Sequence, residues 1–441
     1  MGRAEVTMSA PKVLVLGAGV AGLTTAIALG RRGIEVDVLE RDRPRAPSGR
    51  RAAGSWYRDG VPHAGQGHVF SPRCHRLLAE ELPDVLSQLV QHGAREIPVG
   101  RSAGRWDGPE AAATGTALAV RRPVFDWVLR RVAEREPALR VHSGVTATGL
   151  RTSGGRLSGV LVGGGVLATE LAVDATGAFG PVAGWLDDLG HRGERPWLVE
   201  PRPDPDTAAA AAGGADYFTR CYALHWPNEL PGELNLGLAA GGDFGGYSCR
   251  VVPADNNTFT VMFTVPSSGS GSSSGSGGAG SAAAPVGSGL AALATPDGFQ
   301  LAASRIPLVA GWVDPVAAEP LSGVTALRLP PARRGGAADV ARLPGLVAVG
   351  DALHTGDPVW CSGVAVALAS GLACARAVCA GRDGEEAVDI AARVWSEAAD
   401  LAAYPACACA RVPGPSAAEL AAELSAELGG TVAGPFPVPV G

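Results

Sequence analysis

Lysine is all but missing from this 441-residue chain: Lys12 is the only one, and every other basic side chain apart from histidine is arginine. Any mechanism that needs a lysine amine must use Lys12 or fail. Charge is sparse as well, at 18% of residues with a formal net charge of −6. That balance offers no basic surface for nucleic acid or for an anionic membrane. The one basic run, 41–51 (RDRPRAPSGRR), is broken by Pro44 and Pro47 and reads as a solvated loop. No C-x-x-C pair occurs among the cysteines at 74, 221, 249, 361, 374, 379, 407 and 409. Neither a disulfide framework nor a zinc site is expected; free thiols in a reducing cytoplasm are. The apolar stretch Val13–Leu16 is too short for a secretory leader, and Gly17–Ala18–Gly19 interrupts it. No apolar run of membrane-spanning length is expected elsewhere.

What the chain does have is apolar mass and glycine. Hydrophobic residues make up 46%, with 62 glycines and 34 prolines. At about 150 residues per domain, two or three domains are expected, rich in turns. Residues 12–16 (KVLVL) predict a buried strand, 20–32 a helix stopped near Gly33, and 34–39 (IEVDVL) a second strand. Helices are expected at 72–81 and 124–135. A hairpin is expected over 157–175, with Gly163–Gly165 as its turn and Val166–Val173 as its second strand. Residues 191–335 change texture, with Pro-punctuated strand candidates such as 258–265 (TFTVMFTV). A Gly/Ser linker at 267–281 lies among them. Residues 345–350 (GLVAVG) predict another buried strand, 351–362 a loop and 363–380 an apolar helix. The tail carries two helix candidates. The second opens on a capping box, Ser416 with Glu419, and aligns Leu420, Leu424 and Leu428 on one face.

The strongest motif is Gly17-Ala18-Gly19-Val20-Ala21-Gly22. It follows a strand, opens a helix, and is followed 18 positions after Gly22 by Glu40 at the end of the second strand. Gly17 permits the tight turn, Gly19 lets backbone approach a pyrophosphate, and Gly22 lets helix and strand close together. The helix N-terminus supplies N–H groups and positive dipole. Glu40 suits two ribose hydroxyls and disfavours a 2′-phosphate, so FAD or NAD fits better than NADP.

Downstream, Gly350-Asp351-Ala352 ends a strand and leads through Pro358 to Gly363 and a helix. Asp174-Ala175-Thr176-Gly177 closes the hairpin. With RDGVPHAGQGH (58–68), IPLVAGWVDPVAAEP (306–320) and GLVAVGDALHTGDPVWCSG (345–363), these stretches resemble the FAD-dependent monooxygenases of the para-hydroxybenzoate hydroxylase type. The nearest members are bacterial natural-product flavin epoxidases and hydroxylases. The resemblance implies an α/β fold: a doubly wound, Rossmann-like FAD-binding domain of the GR2 type from 10–190 plus 336–382. It also implies a mostly β substrate domain at 191–335 and C-terminal helices at 383–441. FAD would be held by Gly17, Gly19, Gly22, Glu40, Arg122, Asp351 and Gly363. Asp351 would take the ribityl or ribose hydroxyls, and Arg122 would reach toward the phosphates. Pro358, Trp360 and Cys361 would face the flavin. Here the loop departs from the family's P-x-x-G-x-G, with Cys361 at its first glycine, and His63 follows Val61-Pro62 where glutamine is frequent.

The resemblance implies transfer of one oxygen from a flavin C4a-hydroperoxide to an apolar small molecule, with NAD(P)H as electron donor directly or through a flavin reductase. Such chemistry asks little of acids and bases. His354 and Asp357 in the flavin loop, and His63 and His68, read first as structural polar groups. Trp197, Tyr217, Phe218, Tyr222, Trp226, Tyr247, Phe259, Phe263 and Trp312 supply core, with a few available to line an apolar pocket. Three alternatives stay open. A flavin-dependent reductase or dehydrogenase of isoprenoid-like substrates would carry the same FAD motifs. A halogenase is suggested by DPVWCSG but lacks both its lysine and its Trp-x-Trp motif, since 248–253 reads SCRVVP. A flavin-holding scaffold without activity is the third.

Overall fold

The computed structural model describes residues 13–43, 46–49, 53–99, 115–191, 215–227, 229–234, 239–266, 290–329, 333–334, 343–355, 363–381 and 413–428. Five parallel strands form the first sheet, in the order Leu346–Ala348, Ala172–Asp174, Val13–Leu16, Val36–Glu40, Leu139–Ser143. Strands covered on both faces must be apolar throughout, and Val13–Leu16 and Val36–Glu40 are buried at every position. Two charged residues break the pattern: Glu40, at the strand's end, and Asp37, which is matched by His142 on the neighbouring strand at 2.7 Å. Helices Val20–Gly30, Arg122–Ala133 and Gly363–Ala380 pack into the core formed with this sheet.

The helix Gly363–Ala380 corrects one sequence expectation. Its 18 residues are long and apolar enough to cross a membrane by length and composition, although most of it is buried inside the protein. Gly371 lies on its face against Val20–Gly30. A Cβ on Gly371 would stand 2.9 Å from the Ala21 carbonyl oxygen and 3.0 Å from Thr25 Oγ1.

The expected hairpin is also corrected. Arg156–Val162 does turn through Gly163 and Gly164, both at positive φ, into Gly165–Ala168, but that strand ends there. Thr169 Oγ1 then bonds both the N–H and the carbonyl of Leu171, and Ala172–Asp174 leaves to join the parallel sheet. Ala147–Ser153 completes the three-stranded meander.

The second large sheet is antiparallel, in the order Ala240–Asp243, Ser248–Pro253, Thr258–Pro266, Ala215–Leu224, Ala318–Pro320, with Thr325–Leu329 also on Ala215–Leu224. Its register separates two faces. Phe218, Tyr222, Phe259, Phe263 and Cys249 share one, which forms a core with Phe299, Trp312, Leu420 and Leu424. The helix carrying those two leucines, Ala417–Leu428, begins at the expected capping box. Ser416 Oγ and N–H donate to Glu419 Oε2 at 2.8 Å, and the Glu419 N–H returns to Ser416 Oγ at 3.3 Å. The other face carries Thr219, Cys221, Thr260, Met262, Thr264, Ser248, Arg250 and Val252. Loop 62–70 lies against it: a Cβ on Gly67 would stand 3.2 Å from Val252 Cγ2.

Candidate functional site

The glycine motif forms a tight cradle whose parts divide as expected. Gly17 has φ +105°, and a Cβ there would stand 2.5 Å from the Ala175 carbonyl oxygen. A Cβ on Gly22 would stand 2.0 Å from the Gly17 carbonyl oxygen and 3.1 Å from Ala175 Cβ. Gly17 is thus required by the Asp174–Gly177 segment, which lies against the loop, and Gly22 by the Gly17 carbonyl first and Ala175 second. Gly19, by contrast, has nothing within 4 Å of an added Cβ. It is the N-cap of Val20–Gly30, whose first turn holds no acidic residue. An open backbone surface at a helix N-terminus fits a pyrophosphate, so the residues present fit a dinucleotide.

Glu40 sits at the end of its strand with its carboxylate directed back to the loop. Oε2 accepts from the Ala18 N–H at 2.9 Å, and Oε1 from the Asp42 N–H at 3.0 Å. Arg58, which sequence reasoning passed over, completes the arrangement. Its guanidinium is buried and donates to the Ala18 carbonyl at 2.9 Å. It also reaches Glu40 Oε2 at 3.4 Å and Asp126 Oδ2 at 3.2 Å. Asp126 takes Arg122 Nε at 2.7 Å, one turn back on the same helix. Burial raises the Asp126 carboxyl, but Arg122 and Arg58 outweigh it and hold the group below its ordinary range. Arg122 is therefore placed facing Asp126 within this buried cluster.

The downstream elements close on the same place. Gly350, at φ +59°, donates its N–H to Ser370 Oγ at 2.9 Å, and a Cβ there would stand 2.7 Å from Ala21 Cβ. Asp351 follows it; burial pushes its carboxyl up to about 6, with Arg122 pulling the other way. Gly363 opens its helix with nothing within 4 Å of an added Cβ. His354 is buried in the short strand His354–Thr355. Pro358, Trp360, Cys361, Asp357 and Lys12 lie outside the described residues, as does Trp197.

His63 and His68 continue the cluster toward the antiparallel sheet, their rings 5.6 Å apart. Burial, and then the Arg122 charge, depress their pKa values to about 3 and about 4, so both are neutral near pH 7. His68 Nδ1 lies 2.8 Å from the Gln66 carbonyl, and the Gln66 side chain meets Thr219 on the sheet. Of the aromatic residues considered for a pocket, Phe218, Tyr222, Tyr247, Phe259, Phe263 and Trp312 belong to the core on the far face, Tyr217 packs with Met262 and Leu327, and Trp226 is exposed. The sheet face toward the cradle is mainly hydroxyl-bearing and aliphatic.

Residues 12–139 match the family FAD dependent oxidoreductase. No curated protein matches the chain in sequence. Among solved structures it is similar to PqsL, a probable FAD-dependent monooxygenase from Pseudomonas aeruginosa. That match has 15% identity over 88% of this chain and 91% of that one, with TM-score 0.56. It is also similar to the flavin-dependent brominase Bmp2, at 16% identity over 88% and 83%, TM-score 0.54. The Diels-Alderase PyrE3 of pyrroindomycin biosynthesis matches at 17% identity over 88% and 69%, TM-score 0.56. The cradle, its parallel sheet and the antiparallel sheet beside it thus have the fold of the FAD-dependent oxidoreductases, whose family sequence the stretch 12–139 carries.

Proposed function

We propose that the protein is an FAD-dependent monooxygenase, a hydroxylase or epoxidase acting on an apolar small molecule of secondary metabolism. The observation that carries this reading is the run of side chains from the glycine cradle, through buried Arg58, Asp126 and Arg122 and the half-buried His63 and His68, to Gln66 and the hydroxyl-bearing face of the antiparallel sheet. Bound FAD would supply the oxygen-activating chemistry. The chain's part is to bind, orient and keep water out. Gly19 and the N-terminus of Val20–Gly30 would take the pyrophosphate. Arg58 holds the loop and Glu40 in register. Asp351 would accept sugar-chain hydroxyls. Neutral His63 and His68 line this run without introducing charge beside the reacting centre.

The absence of any lysine but Lys12, which immediately precedes the first strand of the parallel sheet, favours oxygen transfer over halogenation. Electrons would come from NAD(P)H, directly or through a separate flavin reductase. The test is reconstitution with FAD, chemical reduction under nitrogen, and incubation with a panel of polyketide, terpenoid and aromatic compounds under isotopically labelled oxygen. The expected outcome is a product one oxygen heavier whose added atom carries the label. Turnover that proceeds equally without oxygen would overturn the reading in favour of a reductase or dehydrogenase.

A further inference from the structure

Two buried polar atoms on this side of the antiparallel sheet, one in loop 62–70 and one on the sheet itself, find no partner among the described residues. Gln66 is 8% exposed; its Oε1 accepts from the Thr219 hydroxyl, and its Nε2 has no acceptor among the described residues. Thr264 is 5% exposed, and its Oγ1 is likewise unpaired. The register pairs Thr219 with Met262 and Tyr217 with Thr264, which puts Thr219 and Thr264 on the same face of the sheet. Buried amides and hydroxyls are hydrogen-bonded as a rule, so an exception marks a place where a partner can bind. An apolar side chain would occupy the Gln66 position without stranding an N–H group. The surroundings favour an oxygen acceptor as that partner. The neighbouring His68 is neutral, and its Nδ1 is committed to the Gln66 backbone carbonyl. Gly67 lets the loop close to the sheet, so the Gln66 side chain enters the seam.

We infer that the Gln66 amide, anchored by Thr219, donates a hydrogen bond to a carbonyl or phenol oxygen of the substrate. The substrate class narrows accordingly, from apolar molecules in general to oxygen-bearing ones, keto or hydroxy aromatic or polyketide-like. This inference rests on the flavin-monooxygenase reading, which makes the seam the substrate side of the cradle.

The test titrates the FAD-loaded protein with α-tetralone and with tetralin, its hydrocarbon counterpart, following the absorbance of bound flavin. Wild type is expected to bind the ketone at least about tenfold more tightly than the hydrocarbon. Gln66→Met is expected to lose that preference while keeping its FAD content and Tm. Thr219→Val, which releases the other end of the amide, is expected to reduce the preference partly. Wild type that binds both probes equally, or neither, overturns the amide contact, as does Gln66→Met that retains the preference with full FAD content. Failure of wild type to bind FAD overturns the flavin reading and the inference with it.

Discussion

Burial acts in opposite senses on the acid and the histidines around the cradle, and pH separates them. Asp351 is raised to about 6 from an ordinary value of 3.8. A carboxyl raised on folding favours the native state fully below its unfolded value, and that contribution is lost as pH climbs through about 6. Asp351→Asn removes the loss. The cofactor-free variant should gain on the order of 2 kcal/mol over wild type at pH 8 and match it near pH 4, measured by urea unfolding at both. His63 and His68 are depressed to about 3 and about 4, so their contribution is present above about 6.5 and fades as pH falls through those values. The same titration should therefore show wild-type stability falling again in acid. A stability profile of Asp351→Asn parallel to wild type would show that the carboxyl is solvated. In FAD titrations the variant should bind more weakly, because an amide offers one acceptor where a carboxylate offers two.

The crossing of Val20–Gly30 with Gly363–Ala380 depends on Gly371, which leaves no room for a side chain between the backbones. Gly371→Val should destabilise by about 1–3 kcal/mol through overpacking, seen as a lowered Tm with reduced FAD content; an unchanged Tm would mean that the helices separate freely. Elements of this kind are legible in sequence because their signals are local. Pro72–Glu81 and Gly363–Ala380 have the expected bounds, and the Ser416–Glu419 box forms as its spacing implies. Other elements are set by partners far along the chain. Nothing local distinguishes Val166 from Val173, yet one belongs to the meander and the other to the parallel sheet. The same distinction runs through the site. Gly17, Gly19 and Gly22 announce themselves by spacing. Arg58 does not, because its partners Ala18 and Asp126 are 40 and 68 residues away. Gln66 has no signal beyond its place in RDGVPHAGQGH, since only the sheet's register brings Thr219 to it.

At the scale of the whole molecule, an ion pair ties the cofactor side to the antiparallel sheet. Arg121, at the start of the helix Arg122–Ala133, donates Nε and its backbone N–H to Asp255 Oδ1 at 3.0 and 2.8 Å. Its Nη2 reaches Oδ2 at 2.7 Å. Asp255 is fully buried in the turn between strands Ser248–Pro253 and Thr258–Pro266. Its carboxyl is raised by burial but held low on balance by Arg121. Asp255→Ala strands a largely buried guanidinium and should cost about 3 kcal/mol. Calorimetry should then resolve two transitions where wild type shows one; a single transition at an unchanged temperature would mean that the pair does not couple the two sheets. The alternation along the antiparallel sheet reaches further still. Because Phe259, Phe263 and Tyr222 point one way and Thr219, Thr260 and Thr264 the other, selection can act on the two sets independently. Hydroxyls can be exchanged to suit a new molecule while the aromatic set keeps the sheet folded, so one scaffold can diversify its chemistry without first surviving a loss of stability.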